Sequence, residues 1–159
     1  MADVRMGNGF DAHRFKSGRK LVLCGVEIDY PLGLAGYSDA DVAVHALMDA
    51  ILGALAMGDI GAHFPSDDPA YKDADSMTLL SEVVGMAGDK GFTVANSDIT
   101  IIAQEPRIRP HVEKMRDNLS RALHISVDRV SVKATTTEGM GFTGRVEGIA
   151  ALASAVVKG

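Results

Sequence analysis

The order of apolar and polar positions divides this chain into short strand-like and longer helix-like segments. Val4 to Phe10 predicts a first strand, and the apolar stretch Leu21-Val22-Leu23-Cys24-Gly25-Val26-Glu27-Ile28 predicts another. Tyr30-Pro31-Leu32-Gly33-Leu34-Ala35-Gly36-Tyr37 is rich in glycine and proline and predicts a loop. Ser38 is a suitable N-cap, with Asp41 three residues on. The helix it opens is predicted to run to about Met57 and stop at Gly58. It is apolar around most of its circumference, so it should be buried. From Gly58 to Asp75 the pattern is that of a long polar loop, which in a compact domain is usually functional or mobile. Leu79, Leu80, Val83, Val84 and Ala87 then recur at helical spacing, ending near Gly88 and Gly91.

Ile99-Thr100-Ile101-Ile102 predicts a strand. Pro106 and Pro110 bracket a turn into a third helix, whose buried stripe is Val112, Met115, Leu119 and Leu123. Val130-Ser131-Val132-Lys133-Ala134 is a strand, and the apolar Gly148 to Val157 is a last one. Strands alternating with helices predict an α/β (α+β) fold: a sheet of about four main strands with helices packed on one face. The pattern leaves open whether the sheet is parallel or mixed.

Length and composition narrow the picture. The 159 residues suit one domain, 1–159, able to bury a sizeable core without staples. The single Cys24 forms no intrachain disulfide, which fits a reducing compartment. Met1-Ala2-Asp3-Val4-Arg5 has no signal pattern, and no apolar run reaches the ~20 residues of a membrane span. A cytoplasmic protein with no membrane partner is therefore expected. The net charge of -5 lacks the basic footprint of a nucleic-acid binder, and without Trp there is no stacking platform for single strands. Local clusters matter more than the total: Arg107, Arg109, His111 and Lys114 are basic, and Asp67, Asp68, Asp73 and Asp75 acidic.

Three segments carry candidate chemistry. Asp11 and His13 are two apart, which on a strand puts both side chains on one face. His45 lies in the first turns of the helix after Ser38. One carboxylate oxygen and two imidazole nitrogens make three corners of a zinc tetrahedron, the fourth being open to substrate or water. The structural alternative is an Asp11 turn cap with a solvated His13 and a core His45. Asp41, four residues before His45, reads as a partner behind the site or a loop anchor, or else as a helix-start charge. Second, Thr135-Thr136-Thr137-Glu138-Gly139-Met140-Gly141-Phe142-Thr143-Gly144-Arg145 joins hydroxyls, a carboxylate, glycines and an arginine. Such groups donate to phosphate, hold a hard cation and bind phosphate bidentately, although a strand end with a glycine turn has the same composition. Third, Ala103-Gln104-Glu105-Pro106-Arg107-Ile108-Arg109 reads as a strand-to-helix connection that offers main-chain groups to a base and Arg107 to a phosphate, or as an ordinary basic loop.

Together these stretches resemble the 2-C-methyl-D-erythritol 2,4-cyclodiphosphate synthases of the non-mevalonate isoprenoid pathway. The likeness rests on Gly9-Phe10-Asp11-Ala12-His13, Ser38-Asp39-Ala40-Asp41-Val42-Ala43-Val44-His45, Gly58-Asp59-Ile60-Gly61 and Phe64-Pro65. It continues in Ile101-Ile102-Ala103-Gln104, Lys133-Ala134-Thr135-Thr136-Thr137-Glu138 and Gly141-Phe142-Thr143-Gly144-Arg145. The resemblance implies a lyase that forms a homotrimer with active sites between subunits. Its substrate is a cytidine diphosphate carrying methylerythritol 2-phosphate; the 2-phosphate attacks the β-phosphorus and CMP leaves. It implies one zinc per subunit on Asp11, His13 and His45, and magnesium or manganese with the diphosphate at Glu138. It places the stretch Ala103 to Arg109, with Pro106, Arg107 and Ile108, and Ala134, Thr135 and Thr136 around the cytidine and its phosphate, and counts Thr137 among the substrate-binding residues. It places Asp59, Ile60, Gly61, Phe64, Pro65, Ser66, Asp67 and Asp68 around the methylerythritol phosphate, and counts Tyr37 and Ser38 among the substrate-binding residues. Thr136 is the hydroxyl expected to stabilise developing charge. Phe142, Arg145 and Glu147 are expected to line an axial channel that accepts an isoprenoid diphosphate; an interface ion pair between Arg145 and Glu147 is the alternative.

Two positions depart from the family pattern. Tyr37 stands where histidine is usual, and Ser66 where aspartate is common. A phenol donates one hydrogen bond but stays neutral near pH 7, so Tyr37 is expected to donate to phosphate or to pack as a lid. Two other functions fit parts of the pattern. A zinc hydrolase would use the open coordination site on water, and a trimeric nucleotide or isoprenoid-diphosphate binding protein would do no phosphorus chemistry.

Overall fold

The computed structural model describes residues 3–159. Strand β1 spans Val4–Lys16, longer than the hydrophobic pattern predicts. Beyond Phe10 the inner-face positions are Asp11 and His13 rather than apolar residues, so the alternation fades while the pairing continues. β1 pairs antiparallel with β7, Gly148–Lys158, from Val4↔Lys158 to Arg14↔Gly148. The expected second strand is instead a hairpin of β2, Leu21–Leu23, and β3, Val26–Ile28. Cys24 and Gly25 both have positive φ (49° and 69°), the backbone a tight two-residue hairpin turn requires.

The main sheet has the order β4-β1-β7-β5-β6, with β4 the two residues Gly33–Leu34, β5 Thr93–Ile102 and β6 Val130–Thr135. It is mixed: β5 and β6 are parallel and the other neighbours antiparallel. Four long strands with a short fifth at the edge match the expected sheet.

Helix α1, Val42–Ala54, is capped by Asp41 and not by Ser38; the Asp41 carboxylate accepts the Val44 N–H at 3.1 Å. The same carboxylate accepts the N–H groups of Cys24 and Gly25 at 3.0 and 2.8 Å, tying α1 to the hairpin turn. Asp41 is thus a cap and a loop anchor at once. Burial raises its pKa to about 6, with the nearby charge of Asp39 adding to the rise and the three backbone donors opposing it. α1 lies directly over β1, because Gly7 and Gly9 leave no side chain between them. A Cβ on Gly7 would collide with the Ala50 carbonyl, and one on Gly9 with the Ala46 carbonyl.

The polar stretch after α1 is partly ordered into helix α2, Ile60–His63, and a 3-10 turn at Pro69–Tyr71, with Asp59 and Asp68 as their caps. Helix α3, Ser76–Asp89, buries Leu79, Leu80, Val83 and Ala87, and α4, Val112–Leu123, buries Met115, Leu119 and Leu123; Val84 and Val112 of the expected stripes are only half-buried, at the edge of the core. α5 is the single turn Gly141–Gly144. Leu47, Ile51, Leu80, Ile99, Ile101, Met115 and Leu119 are fully buried between the helices and one face of the sheet. Among the described residues nothing covers the other face, and Met6, Phe10 and Leu152 stand exposed on it.

Candidate metal centre and its cleft

Asp11 and His13 point from the inner face of β1 toward His45, on the first turn of α1. Asp11 Oδ2 lies 2.9 Å from His13 Nε2 and 3.0 Å from His45 Nδ1. The two nitrogens are 3.2 Å apart. Three ligands on a tetrahedral zinc at about 2.0–2.1 Å would be separated by roughly 3.3 Å, so this triangle is already close to the right size. His13 Nδ1 donates to the Ala35 carbonyl at 2.6 Å, which leaves the lone pair of Nε2 facing the centre. Burial acts to raise the pKa of Asp11, but hydrogen bonds and charge from His13 and His45 outweigh it and hold the carboxyl well below its usual range. His13 moves the other way: burial lowers its pKa, while the bond and charge of Asp11 prevail and raise it. Among the described residues these three are the group of donors gathered closely enough to hold a metal ion.

The triad opens into a cleft of about 640 Å³. Tyr37, Ser38, Ile60, Gly61, Phe64, Pro65, Ser66 and Asp67 line it with the triad, as the sequence leads one to expect. Met48, Tyr71 and Leu79 also line it. They were missed because each reads as a core or loop residue; Tyr71 is brought in by packing edge-on against Phe64 at 5.3 Å between ring centroids. Asp59 and Asp68 lie outside the lining and serve as caps. The Asp68 carbonyl instead accepts the Tyr37 hydroxyl at 3.2 Å, so the tyrosine pins the 65–68 segment at the mouth. Arg19, which carried no sequence signal, donates to the carbonyls of Gly36 and Ser38 on either side of Tyr37.

The nucleotide-type residues form a second, smaller hollow. Ala103, Pro106, Arg107, Ile108, Arg109, Ala134, Thr135 and Thr136 surround about 160 Å³ at the carboxyl ends of the parallel strands β5 and β6. Open α/β sheets commonly bind ligands at such ends. Gln104 ties the two loops together by accepting the Gly139 N–H at 3.2 Å. Thr137, Glu138, Phe142 and Arg145 lie beyond this hollow. Glu138 sits on an exposed turn with φ +53°, and the Thr136 hydroxyl reaches its carboxylate at 3.4 Å. Arg145 pairs with Glu147 of the same chain at 2.7 Å. The zinc-type cleft and the nucleotide-type hollow share no lining residue. β1 and β6 are three strand spacings apart, roughly 14 Å.

No helix among the described residues is long and apolar enough to cross a membrane.

Known proteins resemble this chain in sequence and in fold. The 2-C-methyl-D-erythritol 2,4-cyclodiphosphate synthase of Trichlorobacter lovleyi is 57% identical over 148 residues, 93% of this chain and 94% of the relative. That of Moorella thermoacetica is 58% identical over 150 residues, 94% of this chain and 92% of the relative. A CDP-bound structure of 2C-methyl-D-erythritol-2,4-cyclodiphosphate synthase superimposes with a TM-score of 0.88 at 34% identity, over 96% of this chain and 99% of that one. The bifunctional IspDF of Campylobacter jejuni superimposes with a TM-score of 0.95 at 43% identity over 99% of this chain, which spans 43% of that longer protein. The YgbB family model matches residues 4–158, and the chain belongs to the YgbB family.

Proposed function

We propose that this protein converts 4-diphosphocytidyl-2-C-methyl-D-erythritol 2-phosphate into 2-C-methyl-D-erythritol 2,4-cyclodiphosphate and CMP. The observation that carries the reading is the Asp11–His13–His45 triangle at the floor of a large cleft, in a chain more than half identical to synthases of that name. A 2-phosphate oxygen forms a bond to the β-phosphorus, and the bond from that phosphorus to the oxygen of the CMP phosphate breaks. The electron pair departs with CMP. The attacking oxygen is already ionised near pH 7, so no side chain has to accept a proton. The residues of this chain bind, align and screen charge, which is most of what phosphoryl transfer asks of a protein.

Asp11, His13 and His45 would hold a zinc ion, and Glu138 a magnesium or manganese ion with the diphosphate; bound there, such ions supply positive charge to the phosphoryl oxygens. Ser38, Asp59, Ile60, Gly61, Phe64, Pro65, Ser66, Asp67 and Asp68 are assigned to the methylerythritol phosphate. Ala103, Pro106, Arg107, Ile108, Arg109, Ala134, Thr135 and Thr137 are assigned to the cytidine and its phosphate. Thr136 donates to the transferring group. Tyr37 acts as a clasp on the loop through the Asp68 carbonyl, a role that needs no cation.

The active unit in this reading is a homotrimer in which the cleft of one subunit meets the nucleotide hollow of the next. The separation of the two sites within one chain supports it, as does the bare face bearing Phe10, 56% exposed, and Leu152, 48% exposed. Phe142 and Arg145 are assigned to an axial channel for an isoprenoid diphosphate. The protein is assigned to the cytoplasm and acts as one domain over residues 1–159.

The test is to incubate the protein with the cytidine diphosphate substrate, zinc and magnesium, and to follow products by phosphorus NMR. The expected result is CMP together with a cyclic diphosphate. Linear products carrying water-derived oxygen would make the protein a zinc hydrolase. Intact substrate in a sample that holds zinc and binds CDP would make it a binding protein.

A further inference from the structure

His45 presents Nδ1 to the metal centre, and its other nitrogen faces away into the protein. A ring that coordinates through Nδ1 carries its proton on Nε2, and whatever accepts that proton sets the ring's orientation. Two hydroxyls lie within reach: Ser76 Oγ at 3.0 Å and Ser38 Oγ at 3.2 Å. Their surroundings distinguish them. Ser76 is fully buried at the first residue of α3, and its hydroxyl hydrogen is given to Asp39 Oδ1. With that hydrogen committed, Ser76 Oγ can only accept from His45.

Asp39 is itself held from several sides. Its Oδ2 accepts the Ser76 N–H at 3.0 Å, its Oδ1 accepts the Asp41 N–H at 3.1 Å, and its own N–H donates to the Ala74 carbonyl at 3.0 Å. The result is a fixed line of carboxylate, hydroxyl and imidazole leading to the centre. Ser38, by contrast, accepts the Ala40 N–H at 3.2 Å and lines the cleft. Once Ser76 takes the His45 proton, the Ser38 hydroxyl hydrogen is free for whatever occupies the cleft.

We propose that Ser76, held by Asp39, is the residue that positions His45 for metal binding through Nδ1 and so leaves the Ser38 hydroxyl to the substrate phosphate. The proposal rests on the zinc reading of the triad, and it names two positioning residues outside the set assigned above to substrate and metals. It also explains why the segment after Tyr37 is stitched to the start of α3: the bonds that order the loop orient the histidine.

The experiment compares wild type, Ser76→Ala and Ser76→Thr as full-length, metal-free proteins. Zinc affinity is measured by chelator competition, and the visible spectrum is recorded with cobalt in place of zinc. Ser76→Ala is expected to raise the zinc Kd about 10- to 100-fold and to shift the cobalt bands, whereas Ser76→Thr, which keeps the acceptor, stays within about threefold of wild type. Melting of the metal-free proteins separates this from a structural role, which would lower stability and leave affinity alone. A folded Ser76→Ala protein with a zinc Kd within about twofold of wild type and an unshifted cobalt spectrum overturns the proposal. Should Ser76→Ala fail to fold, Asp39→Asn is measured against the same criterion, since it removes the charge that fixes the serine hydrogen. A wild-type protein that binds no zinc overturns the zinc reading itself, a failure distinct from wild-type binding that Ser76→Ala leaves untouched.

Discussion

At the scale of single residues, His13 is the group through which the proposed metal binding would respond to pH. Its pKa lies above the ordinary 6.5, because the bond and charge of Asp11 outweigh the burial that would lower it. A raised folded-state pKa means that protonated His13 stabilises the metal-free protein. That contribution is fully present below about pH 6.5 and is lost as pH rises through the folded-state value. Metal binding has the opposite sign, since zinc takes the neutral ring. Apparent zinc affinity is therefore expected to rise with pH, by up to about tenfold per unit, until His13 is deprotonated. Chelator-competition titrations between about pH 6 and 8 read this directly. A flat profile would show that no proton leaves His13 on binding. The pairing of Asp11 with His13 is legible in the sequence because a strand puts i and i+2 on one face. Ser76 and Asp39 are not legible as its supports, since a serine and an aspartate 37 residues apart have no periodic relation.

At the scale of elements, the approach of α1 to β1 brings His45 over Asp11 and His13. Gly7 and Gly9 permit that approach, because the Ala50 and Ala46 carbonyls occupy the space a side chain would need. Gly9→Ala is expected to destabilise the protein by about 1–3 kcal/mol or more, since backbone and not a flexible side chain must yield. It should also weaken zinc binding, because the helix that moves is the one that carries His45, a ligand in the proposed site. Thermal melting and zinc competition on the same variant check both. A loss of stability with unchanged zinc affinity would mean that the helix shifts without moving His45. In the sequence these glycines are only small residues in a strand pattern; which backbone passes over them is decided by the fold.

At the scale of the whole molecule, the described residues cover the sheet on one face and leave the other exposed. Phe10 and Leu152 are directly cross-strand from each other on the bare face, with Met6 nearby on the same side. Contiguous exposed apolar surface is typical of interfaces, and the proposed homotrimer would cover this one. If the protein is the homotrimer proposed above, Phe10→Asp is expected to convert the assembly from three chains to one in analytical ultracentrifugation. Turnover should fall with it, while the zinc affinity of the isolated chain stays near wild type, because the triad belongs wholly to one subunit. A variant that still sediments as a trimer would place the interface elsewhere.

Much of this protein was set by sequence alone. The order of the long strands and of α1, α3 and α4, most of the buried stripes of α3 and α4, and the pairing of Asp11 with His13 follow from local periodicity, which needs only neighbouring residues; the short β4 and α2 sit in stretches whose glycine, proline and polar residues read as loop. Element ends were less legible where another force overrode the pattern. Polar site residues hid the second half of β1, the Cys24-Gly25 turn split one apparent strand in two, and the anchoring role of Asp41 moved the helix start away from Ser38. Tertiary structure alone decided the mixed direction of the sheet, the meeting of His45 with β1, the Tyr37 bond to the Asp68 carbonyl and the line from Asp39 through Ser76 to His45. Each depends on groups distant in the chain meeting at hydrogen-bond range, and only the packing of α1 and α3 on the sheet brings them there.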